Sequence, residues 1–286
     1  RAQYLRQSKA IQQLNVPAID GLTRVLQRGV EAGLFELRDL MLKGKFKVFA
    51  GLRDFFDEIR SNPRYHPKTK AEFAKAFADT AKAVDAQVPR FFNKVPKARL
   101  LIEPYPAYRE KYEAGGSYNQ GAPDGSRPGT FFYNTYDLPS RFLTGVTTLY
   151  MHEGAPGHHF QISLAQEDAT LPDFQRFGGN TAYVEGWALY AETLGYSMGF
   201  YKDPWNRYGT LQDEQLRAMR LVVDTGLHTR RWTRERATAY LVETTGFAQP
   251  RSQREVERYC TQAGQACSYK IGHNMWLKLR KQAQDK

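Results

Sequence analysis

The chain has 286 residues, of which 41% are hydrophobic and 13% aromatic, with a formal net charge of +11. That is enough apolar material for one large globular domain, and no apolar run approaches the roughly 18 residues that a membrane span needs. The positive balance raises nucleic-acid binding, but Lys and Arg alternate with acidic residues, as in Lys68-Thr69-Lys70-Ala71-Glu72, with no compact basic block and no recognisable nucleic-acid motif. Nucleic acid is therefore not the expected partner, and a basic cleft that attracts anionic groups such as peptide carboxylates stays open.

The start of the chain lacks the basic, apolar and small-residue series of a secretory signal. It leads straight into an amphipathic stretch, which makes a piece of a longer polypeptide the expectation. Apolar residues at three- and four-residue spacings predict helices at Tyr4 to Leu14, Leu22 to Leu42, Phe46 to Ile59 and Ala71 to Val88. The pattern then changes. Arg99 to Glu103 and Thr130 to Thr135 read as short strands, separated by the turn-rich loop 119–129, and a small antiparallel sheet is the economical arrangement. Helices return at Val146 to His152, Ala182 to Leu194, Leu211 to Leu227, Thr233 to Thr244 and Glu255 to the C-terminus. The expected fold is mainly α, a single helical domain over 1–286 with the small sheet beside its active-site helix. Cys260 and Cys267, seven apart, stand about 10 Å from each other on a straight helix, beyond disulfide reach, and read as two buried free thiols.

Three of the six histidines fall in Met151-His152-Glu153-Gly154-Ala155-Pro156-Gly157-His158-His159-Phe160-Gln161. A helical zinc-hydrolase signature places two His four apart, with a Glu beside the first as general base. Here His152 and Glu153 are adjacent as required, but position 156 is Pro. On an unbroken helix His158 would lie on the wrong face, and His159 on the right face but about 10.5 Å along. Gly154, Pro156 and Gly157 make an unbroken helix unfavourable. A bulge of two residues would restore His158 as the second ligand; a bulge of three would select His159. Gly157-His158 mirrors the Gly-His ending of several zinc-peptidase motifs, so His158 is preferred and His159 is the alternative.

A carboxylate usually completes a hydrolytic site with two His. Glu185 lies among Val184, Trp187, Ala188 and Leu189, where an unpartnered charge would be costly to bury. Glu192, seven residues further, shares its face and is placed to hydrogen-bond a ligand His. The residues thus predict a zinc ion on His152, His158 and Glu185, with Glu153 as the base.

The segments Asp124-Gly-Ser-Arg-Pro-Gly-Thr, His-Glu-Gly-Ala-Pro-Gly-His-His-Phe-Gln and Tyr-Val-Glu-Gly-Trp-Ala-Leu-Tyr-Ala-Glu resemble the bacterial family called domain of unknown function 885. Arg220-Leu-Val-Val-Asp-Thr-Gly-Leu-His228 and Gly264-Gln-Ala-Cys-Ser-Tyr-Lys-Ile-Gly272 extend the match over roughly residues 90 to 280. One departure is Ala263, where the family usually has Pro. The resemblance implies a helical zinc peptidase with two His and a distant Glu as ligands, a longer N-terminal side, and a cell-envelope location, since many members carry lipoprotein or secretory signals. The family's substrates are poorly defined.

The expected reaction is hydrolysis of a peptide bond, with a non-peptide amide or ester, or an inactive binding protein, as alternatives. His228, Tyr259 and Tyr269, all in matching family segments, are candidate donors to a developing oxyanion, and Asp224 is placed to orient His228. Strand Thr130 to Thr135 is a candidate for pairing with an extended substrate. Arg220, Arg258 and Lys270 are candidate receptors for a peptide's terminal carboxylate, which would suit a carboxypeptidase or dipeptidase.

Overall fold

The computed structural model of the chain describes residues 52–286. The expected helices at Tyr4 to Leu14 and Leu22 to Leu42, and the start of Phe46 to Ile59, lie outside the described residues. The remainder is mainly helical, as its periodicity predicts. The described residues group into two compact units, one formed by Arg53–Glu214 with Ser268–Lys286 and the other by Gln215–Cys267.

The first unit begins with α1 (Leu52–Ser61) and α2 (Lys70–Asp85). Thr69 caps α2 by accepting the Glu72 backbone N–H, and the Glu72 carboxylate reaches back to accept the Lys68 N–H just ahead of the cap. Phe73, Phe77, Ala81 and Val84 then recur on one buried face. They meet the sheet formed by β1 (Leu100–Pro104), β2 (Gly116–Asn119) and β3 (Gly129–Tyr133). Burial alternates along β3, so Phe131 and Tyr133 point inward, their ring centroids 5.3 and 4.7 Å from Phe77.

The sheet departs from expectation. Its order is β1-β3-β2, with β1 and β3 parallel and only β2 and β3 antiparallel. Residues 105–128 between β1 and β3 are long enough for the crossover that parallel pairing needs, and they carry a strand of their own. Because β3 is paired on both sides, the expected pairing of Thr130 to Thr135 with a substrate backbone has no free edge to use.

The helices that follow are α3 (Val146–Glu153), α4 (His158–Glu167), the single turn α5 (Asp173–Arg176), α6 (Thr181–Met198), α7 (Pro204–Thr229), α8 (Arg234–Thr245), α9 (Gln249–Thr261) and α10 (Gln265–Gln284). In α3 nearly every side chain is buried, among them Val146, Tyr150 and Met151 in the apolar core of this unit. Asn180 caps α6 through the Tyr183 N–H, and Gly199, at φ +85°, ends it in the left-handed conformation that glycine adopts without strain. Among the described residues no helix is long and apolar enough to cross a membrane.

In the unit Gln215–Cys267, Met219 and Val223 of α7 pack with Ala237 and Leu241 of α8 and Val256 and Tyr259 of α9. The helix expected from Glu255 to the C-terminus is interrupted. Gly264, at φ +83°, separates α9 from α10. Both cysteines are free, but Cys260 is exposed, contrary to the expected pair of buried thiols. Burial, helped by the nearby Asp224 charge, pushes the Cys267 thiol up to about 12.

Candidate metal centre

The expected bulge is instead a full break between two helices. α3 stops at Glu153, where the Gly154 N–H closes onto the Tyr150 carbonyl. The chain then folds back so tightly that a Cβ on Gly157 would stand 1.9 Å from the His152 carbonyl oxygen. Only glycine permits that approach. The Trp187 indole N–H holds the turn by donating to the Pro156 carbonyl at 2.7 Å. α4 therefore starts at His158, and its imidazole lies 4.7 Å from that of His152, centroid to centroid, with the planes at 85°.

Glu185, in the second turn of α6, completes the group. Its Oε2 is 3.5 Å from His152 Nε2 and 3.3 Å from His158 Nε2, and one donor atom from each of the three residues lies within 4.8 Å of the others. Ligands held at about 2.0–2.1 Å around a tetrahedral ion stand about 3.3–3.4 Å apart, close to the two His–Glu separations. The charges fit as well. Glu153, Glu185 and Glu192 bring three carboxylates to two buried imidazoles, an excess of negative charge that a dication would offset. Burial by itself pushes His152 down, but Glu185, Glu192 and Glu153 outweigh it and raise the imidazole to about 10. Burial opposes the charge on Glu185 too, yet His152 and His158 hold its carboxyl well below the usual range.

The His152 ring spans two carboxylates on α6. While Nε2 faces Glu185, Nδ1 donates to Glu192 Oε1 at 2.7 Å. The seven-residue spacing of Glu185 and Glu192 returns to the same helix face two turns on, which is what one imidazole can bridge. With Nδ1 bonded to Glu192, Nε2 is the nitrogen that would face a metal. Thr148 then donates to Glu192 Oε2 at 2.6 Å. Sequence reading missed Thr148, although its position four residues before His152 on α3 puts both on one face.

Tyr269 of α10 covers His152. The rings are nearly parallel, 18° apart, with centroids 6.1 Å from each other. It can lie there because α6 and α10 touch at Gly186 and Gly272, where a Cβ on Gly272 would meet the Ala182 carbonyl oxygen at 1.9 Å. His273, one residue on and also missed, is buried, with Nδ1 3.2 Å from Lys270 Nζ. Burial and the Lys270 charge push its imidazole down to about 4. Lys270 itself is paired with Glu214, which argues against its expected role as a carboxylate receptor.

His159 turns away from the group. Its Nδ1 is 3.1 Å from the Tyr118 hydroxyl and 3.4 Å from Ser163 Oγ, so the geometry favours His158 over His159 as a ligand. Glu153 is buried immediately after His152 and acts electrostatically on both His152 and Tyr105.

Other candidates form a separate network within Gln215–Cys267. Arg220 is buried and bonded through Nη2 and Nε to both oxygens of Glu255, and the Tyr259 hydroxyl donates to the same carboxylate at 2.7 Å. With these partners, Arg220 and Tyr259 are committed to an internal network and do not suit the roles of carboxylate receptor and oxyanion donor expected of them. Burial opposes the Glu255 charge, but Arg220, Tyr259 and Arg258 prevail and hold its carboxyl at about 2. His228 Nε2 donates to the Tyr259 carbonyl at 3.0 Å. Asp224, expected to orient that ring, stands 4.0 Å from it and accepts the Gly264 backbone N–H at 3.0 Å.

Comparison with known proteins agrees with this architecture. A crystal structure of a "putative lipoprotein" from Colwellia psychrerythraea is 33% identical, with a TM-score of 0.89 over 98% of this chain and 49% of its own. A "putative lipoprotein of unknown function" from Shewanella oneidensis shares the fold at 17% identity, with a TM-score of 0.75 over 93% of this chain and 50% of its own. The chain thus spans about half the length of these two relatives. A stretch of 54 residues is 44% identical to part of the terminase large subunit of Salmonella phage P22, and covers 19% of this chain and 10% of that protein. The profile described as "Bacterial protein of unknown function (DUF885)" matches residues 18–286, and with nearly the whole length accounted for, the chain belongs to that family.

Proposed function

We propose that the chain is the catalytic part of a zinc-dependent hydrolase that cleaves peptide bonds. The observation that carries this reading is the convergence of His152, His158 and Glu185 within 4.8 Å, with Glu153 buried beside them. Zinc held by those three residues would supply Lewis acidity to water and to a scissile carbonyl. Glu153 takes a proton from the attacking water as the new C–O bond forms, and delivers it to the amine as the C–N bond breaks. Glu192 keeps the His152 ring in the orientation and tautomer that the site needs. Tyr269, lying over His152, is the hydrogen-bond donor to the oxygen that gains charge. The names of the two solved relatives support a cell-envelope location.

The test is Glu153→Gln on zinc-loaded protein, assayed against a peptide library. The amide keeps the size of the side chain but cannot accept the proton, so zinc content should hold while turnover falls about 100- to 10,000-fold. Near-wild-type turnover would remove Glu153 from the mechanism. Turnover that survives complete removal of metal by a chelator would sink the zinc reading itself.

A further inference from the structure

Three features near the start of α4 converge on one ligand. The first is a sheet edge. In the order β1-β3-β2, β2 lies at the margin among the described residues. The Asn134 N–H bonds to the Gly115 carbonyl, so by the alternation of antiparallel pairing Gly116 and Tyr118 direct their backbone N–H and C=O groups away from β3, toward the outer edge. The second is an open depression of about 400 Å³ at that edge, lined by Tyr118, Asn119, Gln120, Arg127 and Ile162. It lies beside the start of α4, next to the histidine that follows His158. The Tyr118 hydroxyl is 3.1 Å from His159 Nδ1, His159 adjoins His158, and Ile162 lies one turn further along α4.

The third feature is Arg127. Unlike Arg220 and Lys270, it is exposed and forms no ion pair with a carboxylate among the described residues. One Nη1–H donates to the carbonyl of Gln120, another residue of the lining, at 2.7 Å, which leaves other N–H donors of its five available. Its charge reaches Tyr118, where it partly offsets the upward push of burial on the hydroxyl. Two residues later, a Cβ on Gly129 would stand 2.9 Å from His159 Nδ1, so the Arg127 segment runs against the residue that follows His158.

We propose that this depression is a subsite for the C-terminal end of a peptide, in which the outer edge of β2 pairs with the extended backbone and Arg127 receives the free α-carboxylate. A guanidinium matches a carboxylate in a planar, two-pronged arrangement, and an exposed strand edge matches extended peptide. This rests on the zinc-hydrolase reading for its catalytic meaning, and it makes the substrate class peptides trimmed near a free C-terminus.

The experiment compares acetyl-trialanine with its C-terminal amide by calorimetry, on the zinc-loaded Glu153→Gln chain, where slow turnover leaves both probes intact. The free acid should bind about 10- to 100-fold more tightly than the amide, the range of a hydrogen bond to a charged group. Adding Arg127→Gln should abolish that preference, and Arg127→Lys should retain part of it. Equal affinity for acid and amide, binding of neither, or a preference that survives Arg127→Gln would overturn the subsite. Zinc content and turnover are measured separately. A preference that depends on Arg127 in a protein that fails the zinc and Glu153 tests would keep the carboxylate site and discard the hydrolase.

Discussion

The imidazole of His152 donates from Nδ1 to Glu192 Oε1 at 2.7 Å, and both side chains are buried. Glu192→Gln keeps an acceptor for that bond but removes the negative charge behind the metal-facing nitrogen. Zinc affinity should fall about 10- to 100-fold with the helical content unchanged, as is usual when the carboxylate behind a ligand His is altered. Competition against a chromophoric chelator measures this. Unchanged affinity would make Glu192 a packing residue.

His158 and His159 adjoin in sequence but make different contacts. His158→Ala should leave the purified chain nearly free of zinc. His159→Ala removes the bond to Tyr118, not a group within the 4.8 Å cluster, and should leave zinc close to one per chain. Elemental analysis of the two variants decides the matter, and the reverse result would assign the ligand to His159.

Gly272→Ala should be strongly destabilising, because its Cβ would meet the Ala182 carbonyl oxygen at 1.9 Å and α6 and α10 would have to separate. A loss of about 1–3 kcal/mol is expected from such overpacking, with a lower zinc affinity as Tyr269 shifts from His152. Gly145→Ala is the control. Nothing lies within 4 Å of its Cβ position and its φ is ordinary, so urea unfolding should show little change. Equal midpoints for the two variants would mean that the helix crossing tolerates a methyl group.

Glu255 gives the unit Gln215–Cys267 a defined response to acid. Its carboxyl is held at about 2, against an ordinary 4.5, so the folded form binds its proton less readily than the unfolded chain. The resulting stabilisation is full above about pH 4.5 and is lost as pH falls toward 2. It amounts to roughly 3 kcal/mol. Glu255→Gln removes this titration, and urea midpoints measured across that window should fall less steeply for the variant. Parallel slopes would show that another carboxylate controls acid unfolding.

The residues of the candidate centre were more legible in the sequence than their geometry. His152, Glu153, Glu185 and Glu192 follow from side-chain type and helical spacing, which are local properties. His158 required knowing how the chain passes Pro156, and a tertiary contact settles that: the Trp187 indole on the Pro156 carbonyl. Arg220 and Lys270 look available in sequence because Glu255 and Glu214 lie 35 and 56 residues from them. His273 gave no signal at all, since an isolated histidine reveals neither its burial nor its lysine neighbour. The strands were recognisable from composition, but parallel pairing depends on which segments meet, and β-propensity says nothing of that.

The position of β3 also constrains the order in which this protein can fold. The central strand is the last of the three in sequence, so β1 and β2 have no sheet partner until Gly129–Tyr133 arrives between them. There is no early hairpin of the first two strands for the rest to build on: the antiparallel pairing with β2 closes the loop 120–128, and the parallel pairing with β1 contributes only once 105–128 has closed. β3 also carries Gly129 against His159 and Phe131 against Phe77. One five-residue strand thus completes the sheet, closes the aromatic core and packs against His159, and a slip of one residue in its register would undo all three together.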